Sequence, residues 1–419
     1  MKYFFLVAFA HLSVVAATPT DEINRLAESL RPQLVTQRRD IHIHPELANR
    51  ELRTARIVAD KLRALGFDEV RTNVAHTGIV ALIKGGKPGP VVAVRADLDA
   101  LPINETIDVP YKSQTPGVKH ACGHDVHTTI ELGVAEVLSK MRAQLPGSVK
   151  FIFEPAEEGP PEGEEGGSRL LIKEGALENP RPLAIFGLHT TAEIQTGKIG
   201  VRAGGAQAAA DTFEIIIHGK RAHPAFPNDG VDAVVVAAQC VNALHTIKSR
   251  RTAAFDPMIL TIGTIKGGHL AEEVAASVTM TGTLRTFSES TRKDIKQMMR
   301  ELLQGVCDGN KATFDLKITE ETMVVYNDPK LVEETLPSLR RALGETNVIQ
   351  AELRMGAEDF SFFQQVIPGV LFRLGSGNKA KGIVANQHTA EFDVDEECLV
   401  VGTKAMANTV FDFLERQPK

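Results

Sequence analysis

Four stretches of near-continuous apolar character constrain this chain more than any other feature: PVVAVRAD (90–97), SVKFIFEP (148–155), LAIFGLH (183–189) and VLFRLGS (370–376). A strand that is apolar on both faces must be covered on both sides. Helix-periodic segments fall between these runs, at 126–142 and again after Asn327-Asp328-Pro329. Strands alternating with helices in this way predict an α/β fold with a mostly parallel sheet covered by helices. Residues 21–65 read as helix, interrupted around His44-Pro45.

The rhythm changes between 206 and 319. TFEIIIHG (212–219), MILTIGTIKGG (258–268), AASVTMTGTLRTF (275–287) and TFDLKI (313–318) read as strands, with helices at 230–249 and 290–307. The order β-α-β-β-α-β is the split, ferredoxin-like arrangement. The 419 residues therefore divide into a catalytic domain, 18–205 and 320–419, and an inserted satellite domain, 206–319.

Residues 1–17, MKYFFLVAFAHLSVVAA, carry one Lys, a short apolar run and a small residue, Ala17, before the polar TPTDE. This is the pattern of a signal peptide and predicts an exported protein, periplasmic or secreted, with no membrane association after cleavage. Four cysteines in 419 residues do not make a disulfide scaffold. Cys240 and Cys307 fall in helix-like runs and read as small buried hydrophobes. A net charge of −6, no Trp and only three Tyr exclude a nucleic-acid-binding surface.

The chemistry concentrates in a few places. HACGHDVHTT (120–129) puts Cys122 and His124 two residues apart, too close for one helix face but able to share an ion from an irregular turn. Asp125 stands where it could cap the following helix. EPAEEG (154–159) follows a buried strand with two adjacent acids, so that one can bind a metal while the other faces a water. Asp97 and Asp99, His189, and His388 in NQHTAEF also lie beyond predicted strands. In an open α/β sheet those ends line one crevice. Mixed S, N and O donors suit zinc, cobalt or manganese better than magnesium or calcium. A water between two such ions loses its proton near neutral pH, and a free carboxylate can take that proton and pass it to a leaving nitrogen. That is amide hydrolysis without a covalent intermediate. No G-x-S-x-G, G-x-G-x-x-G or G-x-x-x-x-G-K-[ST] stretch offers a serine or nucleotide alternative.

RADLDALP, HACGHDVHTT, FEPAEEG, GLHT, GKRAHPAFP, GTLRTF and MGAEDFSFF, in this order and with His388 beyond, resemble the aminoacylase/carboxypeptidase clan of dinuclear metallohydrolases. The nearer branch is that of hippurate hydrolases and plant indole-3-acetyl-amino-acid hydrolases, which carry Cys-Gly-His where other relatives have an Asp-containing motif. The resemblance implies two divalent ions held by Cys122, His124, Glu158, His189 and His388, with Cys122 as the bridge. It implies Glu157 as general base and acid, and Asp99 orienting a ligand. His223 would stabilise the oxyanion, in many relatives across a homodimer made by the satellite domains, and Arg285 would bind the substrate carboxylate. The implied substrate is an N-acyl or N-aroyl amino acid, with a short peptide, cut by a carboxypeptidase or dipeptidase, as the alternative. A non-catalytic binding protein for acylated amino acids would have lost Glu157 or a ligand, and this chain keeps them all. Asn228 stands where many relatives have a His, a departure that touches only fine substrate contacts.

Overall fold

The computed structural model describes residues 18–417; the proposed signal at 1–17 lies outside them. The chain begins with three helices, α1 (Pro19–Ser29), α2 (Arg31–Ile43) and α3 (Leu52–Ala64), so the helical stretch breaks at His44 as expected. Then come β1 (Glu69–Val74), β2 (Gly78–Lys84), β3 (Lys87–Asp97), α4 (His124–Lys140), β4 (Pro146–Glu154), α5 (Gly167–Lys173), β5 (Ile185–Gln195), β6 (Ile199–Val201) and β7 (Gly204–Gln207). The second unit follows: β8 (Ala209–His218), α6 (Ala233–Thr246), β9 (Met258–Gly267), β10 (Ser277–Thr286), α7 (Glu289–Asn310) and β11 (Thr313–Thr322). The first unit resumes with β12 (Val325–Asn327), α8 (Pro329–Leu343), β13 (Val348–Gln350), α9 (Phe360–Gln364), β14 (Gly369–Gly377) and α10 (Glu397–Arg416).

The large sheet has the order β1-β2-β4-β3-β5-β14-β6-β13. Its centre, β4-β3-β5-β14, is parallel and consists of the four apolar runs read from the sequence. The flanks are antiparallel where β1 meets β2, β2 meets β4 and β14 meets β6. Successive residues of the central strands point to opposite faces. Val92, Val94, Phe151 and Phe153 join a core with α1, α4 and α10, while Ala93, Ile152 and Ile185 join one with Leu171, Phe360 and Phe363. Deleting one such side chain costs about 2–5 kcal/mol. Helix α4 is buried from His124 through Leu138, so its first turn is carried into the interior and held there.

The second sheet, β11-β8-β10-β9, is antiparallel throughout. One face packs on α6 and α7 through Ile215, Ile217, Leu244, Met280, Ile295 and Leu303. Cys240 and Cys307 lie in that core, and all four cysteines are buried and free. The segments leading into and out of this unit, β7 and β12, pair with each other. Among the described residues no helix is long and apolar enough to cross a membrane.

Candidate metal centre

Each candidate ligand is placed by a backbone feature that its sequence neighbours dictate. Cys122 sits in the turn before α4. That turn closes through Gly123 at φ +96°, where a Cβ would stand 2.4 Å from Thr190 Oγ1, so only glycine fits. His124 follows as the first residue of α4. Glu157 and Glu158 follow β4 through Ala156, at φ +56°. His388 is itself left-handed, at φ +62°, and its backbone N–H donates to Ala121 O at 2.8 Å, which ties its loop to the Cys122 turn. His189 departs from expectation. It lies within β5 rather than beyond it, because β14 continues to pair as far as Gln195.

These residues converge. Cys122 Sγ is 3.3 Å from His189 Nε2 and 3.4 Å from His388 Nε2. His388 Nε2 is 3.0 Å from Glu158 Oε1, and His124 Nε2 is 3.9 Å from the same oxygen. Donors bound to one tetrahedral ion stand roughly 3.5 Å apart. Two of the donor groups, Cys122–His124–His189 and Cys122–Glu158–His388, share the thiol, while others join His124 to Glu157 and Glu158 and to Asp97 and His127. His124 Nε2 is buried without a hydrogen-bond partner, an arrangement that a cation beside it would satisfy. The opposite ring nitrogens are already committed: His124 Nδ1 pairs with Asp99 Oδ1 at 3.1 Å and His189 Nδ1 donates to Thr190 O at 2.8 Å. Each ring is thereby oriented with Nε2 free to bind metal. Asp99 also accepts from the N–H groups of Glu157 (3.2 Å) and Glu158 (3.1 Å), so one carboxylate sets both the histidine and the acid pair.

Burial, with Glu158 and Glu157 close by, pushes the Cys122 thiol well above its ordinary range. Burial and the neighbouring Glu358 and Glu158 push Glu157 up as well. Burial, Arg373 and His127 hold His189 neutral, the form that ligates. His124 goes the other way. Although burial opposes its charge, Asp97 and Asp99 push it up to about 10. A crowd of buried acids of this kind is what divalent cations neutralise.

The structure adds residues to which the sequence reading gave no role. Glu358 and Asp359 form a further acidic group with Glu157 and are held by Arg95, with Arg95 Nη2 3.0 Å from Asp359 Oδ1. His127 bridges Asp97 (2.7 Å) and Thr190 (3.1 Å) behind His189. Asp125 does not cap α4. It accepts from Arg38 Nε at 2.8 Å and pairs with His42 Nδ1 at 2.7 Å, while the cap position is Gly123. Lys119 is buried and donates to the carbonyls of Ala390 (2.9 Å) and Phe392 (2.6 Å), in the loop that carries His388. Lys119→Met is therefore expected to weaken this anchorage by about 2 kcal/mol. Metal titration and thermal melting should show a lower melting temperature and one weakened ion site.

Arg285 of β10 lines a cleft of about 540 Å³ together with Glu157 and Glu158, so the structure brings it to the site. It does not bring His223 there. Ala210, Asp211 and Thr212 face the cleft from the start of β8. His223 lies past the strand's far end, exposed to solvent, beyond ten residues of strand that span roughly 30 Å.

Residues 93–412 match the model of peptidase family M20/M25/M40. The chain is 34% identical over 394 residues to thermostable carboxypeptidase 2 of Saccharolobus solfataricus, covering 94% of this chain and 98% of that one. It is 36% identical over 388 residues to IAA-amino acid hydrolase ILR1-like 2 of Arabidopsis thaliana, covering 92% and 86%. The crystal structure of a dinuclear metal binding peptidase from the M20 family of Bacillus subtilis superposes with a TM-score of 0.82 at 32% identity, covering 93% of this chain and 99% of that one. Ligand geometry, fold and full-length similarity agree: the chain belongs to peptidase family M20/M25/M40, a family of hydrolases acting on amide bonds.

Proposed function

We propose that this chain is an exported amidohydrolase with two divalent ions that releases amino acids from N-acyl or N-aroyl conjugates. The observation that carries the reading is the division of labour between two adjacent acids. Glu158 stands in a ligand set with Cys122 and His388, whereas Glu157, which groups with His124 and Glu158 and with Glu358 and Asp359, belongs to neither set that holds the thiol. Two ions there would supply a water acidic enough to deprotonate at neutral pH and would polarise the scissile carbonyl. Cys122, His124, Glu158, His189 and His388 would hold them, and zinc, manganese and cobalt all suit the donors. Glu157 takes the proton from the attacking water and returns it to the leaving nitrogen. Arg285, across the cleft, takes the substrate carboxylate as a bidentate fork. The name of the Saccharolobus relative favours peptides as the second substrate class.

The test is a hydrolysis screen of purified, metal-loaded protein against hippurate, N-acetyl amino acids, indole-acetyl conjugates and dipeptides. Turnover of acyl conjugates well above dipeptides supports the reading, and the reverse ranking replaces it with a dipeptidase.

The position of His223 gives the reading a quaternary consequence. On this reading His223, exposed past the far end of β8, would serve the oxyanion of a partner's site in a homodimer of satellite domains. His223→Ala and Glu157→Gln proteins, each nearly inactive, should therefore complement on mixing and recover about a quarter of wild-type activity, from heterodimers with one intact site. Activity that stays at the level of the separate variants after subunit exchange would remove the dimer from the mechanism.

A further inference from the structure

A second cavity, of about 480 Å³, is lined from β5, β14 and the segment 349–356. Arg373 of β14 stands in register with His189 of β5. Their side chains therefore leave the same face of the sheet, on strands roughly 5 Å apart. Thr191 and Glu193 follow His189 at the two-residue interval of a strand and line the cavity with Arg354, Met355 and Arg373. The cavity thus begins beside a candidate metal ligand and runs outward along β5. The segment 355–358 divides it from the cleft of Arg285, with Met355 and Gly356 on the cavity side and Ala357 and Glu358 on the cleft side.

Arg373 is a buried cation without an adequate partner. It is 6% exposed, and its Nε has no hydrogen-bond partner. Its other contacts are long and go to neutral oxygens: Gln207 Oε1 at 3.5 Å and Thr190 O at 3.4 Å. That carbonyl already accepts from His189 Nδ1 at 2.8 Å and from Gln387 Nε2 at 2.5 Å, so both its lone pairs are taken. Arg354 has the nearby acid, Glu193, at 2.6 Å, and Arg373 forms no ion pair among the described residues. A guanidinium buried in this state is costly unless an anion completes it. The Arg354–Glu193 pair is partly exposed and exchanges easily with another carboxylate.

We propose that Arg373 and Arg354 form an anion subsite that takes a second carboxylate of the substrate, across the segment 355–358 from the cleft of Arg285. The enzyme would then prefer acyl amino acids that carry two carboxylates. The second is borne either by an acidic side chain on the amino-acid side or by a dicarboxylic acyl group. This inference rests on the amidohydrolase reading.

The test compares isosteric pairs that differ in one charge: N-acetyl-glutamate against N-acetyl-glutamine, and N-glutaryl-alanine against its terminal monoamide. In one pair the acid should exceed the amide in kcat/KM by about 10- to 100-fold, and that pair identifies which end of the substrate enters the cavity. Arg373→Met should bring the acid-to-amide ratio toward one. Arg354→Gln, at the more exposed edge, should lower it part of the way and serves if Arg373→Met fails to fold. Ratios near one in both pairs for the wild-type protein overturn the subsite and leave the amidohydrolase reading standing. If no acyl conjugate is turned over, the amidohydrolase reading fails instead and calorimetry decides the subsite. Glutarate should bind chelator-treated wild-type protein and bind at least tenfold more weakly to Arg373→Met. Equal binding, or none, overturns it.

Discussion

Glu157→Gln is expected to lower kcat about 10²- to 10⁴-fold while the protein keeps its full metal content. The substitution preserves the size of the side chain and its backbone anchor, since the N–H of residue 157 donates to Asp99 Oδ1 at 3.2 Å whatever the side chain. It removes only the ability to accept a proton. The neighbouring ligand set of Cys122, Glu158 and His388 is untouched. Burial first, then Glu358 and Glu158, raise the proton affinity of Glu157 well above that of a free carboxyl, the direction a proton acceptor in the proposed mechanism needs. Steady-state kinetics with elemental analysis on the same samples makes the check. An activity within a few-fold of wild type would move the proton transfer to another residue, and Glu358 or Asp359, in the same acidic group, would be next to test.

How much of this was legible in the sequence depends on what each element depends on. The central strands announce themselves because both of their faces are buried, and strand pairing then needs little beyond apolar character. β1 escaped because its residues are mostly exposed or half-buried, and β6, β7, β12 and β13 escaped because three or four residues carry no periodicity. Cys122 and His124 were readable as donors on an irregular turn, and the adjacent acids, His189 and His388 as polar residues near strand ends, but the set of five and the choice of Glu158 as the binding acid came from the resemblance. Glu358 and Asp359 lay in a motif quoted for its resemblance alone. Their role comes from Arg95, 264 positions from Asp359, and no local pattern encodes that. Lys119 is the same kind of case, since a lysine reads as surface until the carbonyls it holds are seen. His223 shows the reverse limit: the motif was visible, but the strand that carries the residue away from its own chain's cleft belongs to the three-dimensional structure.

Cys122→Ala is expected to weaken both ions together, each by more than about 100-fold, whereas His388→Ala should weaken one. The argument is geometric. Cys122 Sγ belongs to the set with His124 and His189 and to the set with Glu158 and His388, while each histidine belongs to one of these two sets. A sulfur 3.3 Å from one imidazole nitrogen and 3.4 Å from the other can serve ions on both sides of itself. Its loss also leaves two sets of donors with no shared anion to offset the repulsion between adjacent dications. Cys122→Asp separates bridging from mere packing, because a carboxylate offers one oxygen to each ion and alanine offers none. The aspartate variant should regain two ions at saturating metal and the alanine variant should not. Because burial and Glu158 hold the thiol protonated without metal, loading wild-type protein should also release a proton that neither variant releases from this position. Native mass spectrometry gives the stoichiometry and calorimetry in two buffers of different ionisation enthalpy gives the proton count. Stepwise loss of a single ion in Cys122→Ala, with the other bound as tightly as in wild type, would assign the thiol to one site and leave the two ions without a shared ligand.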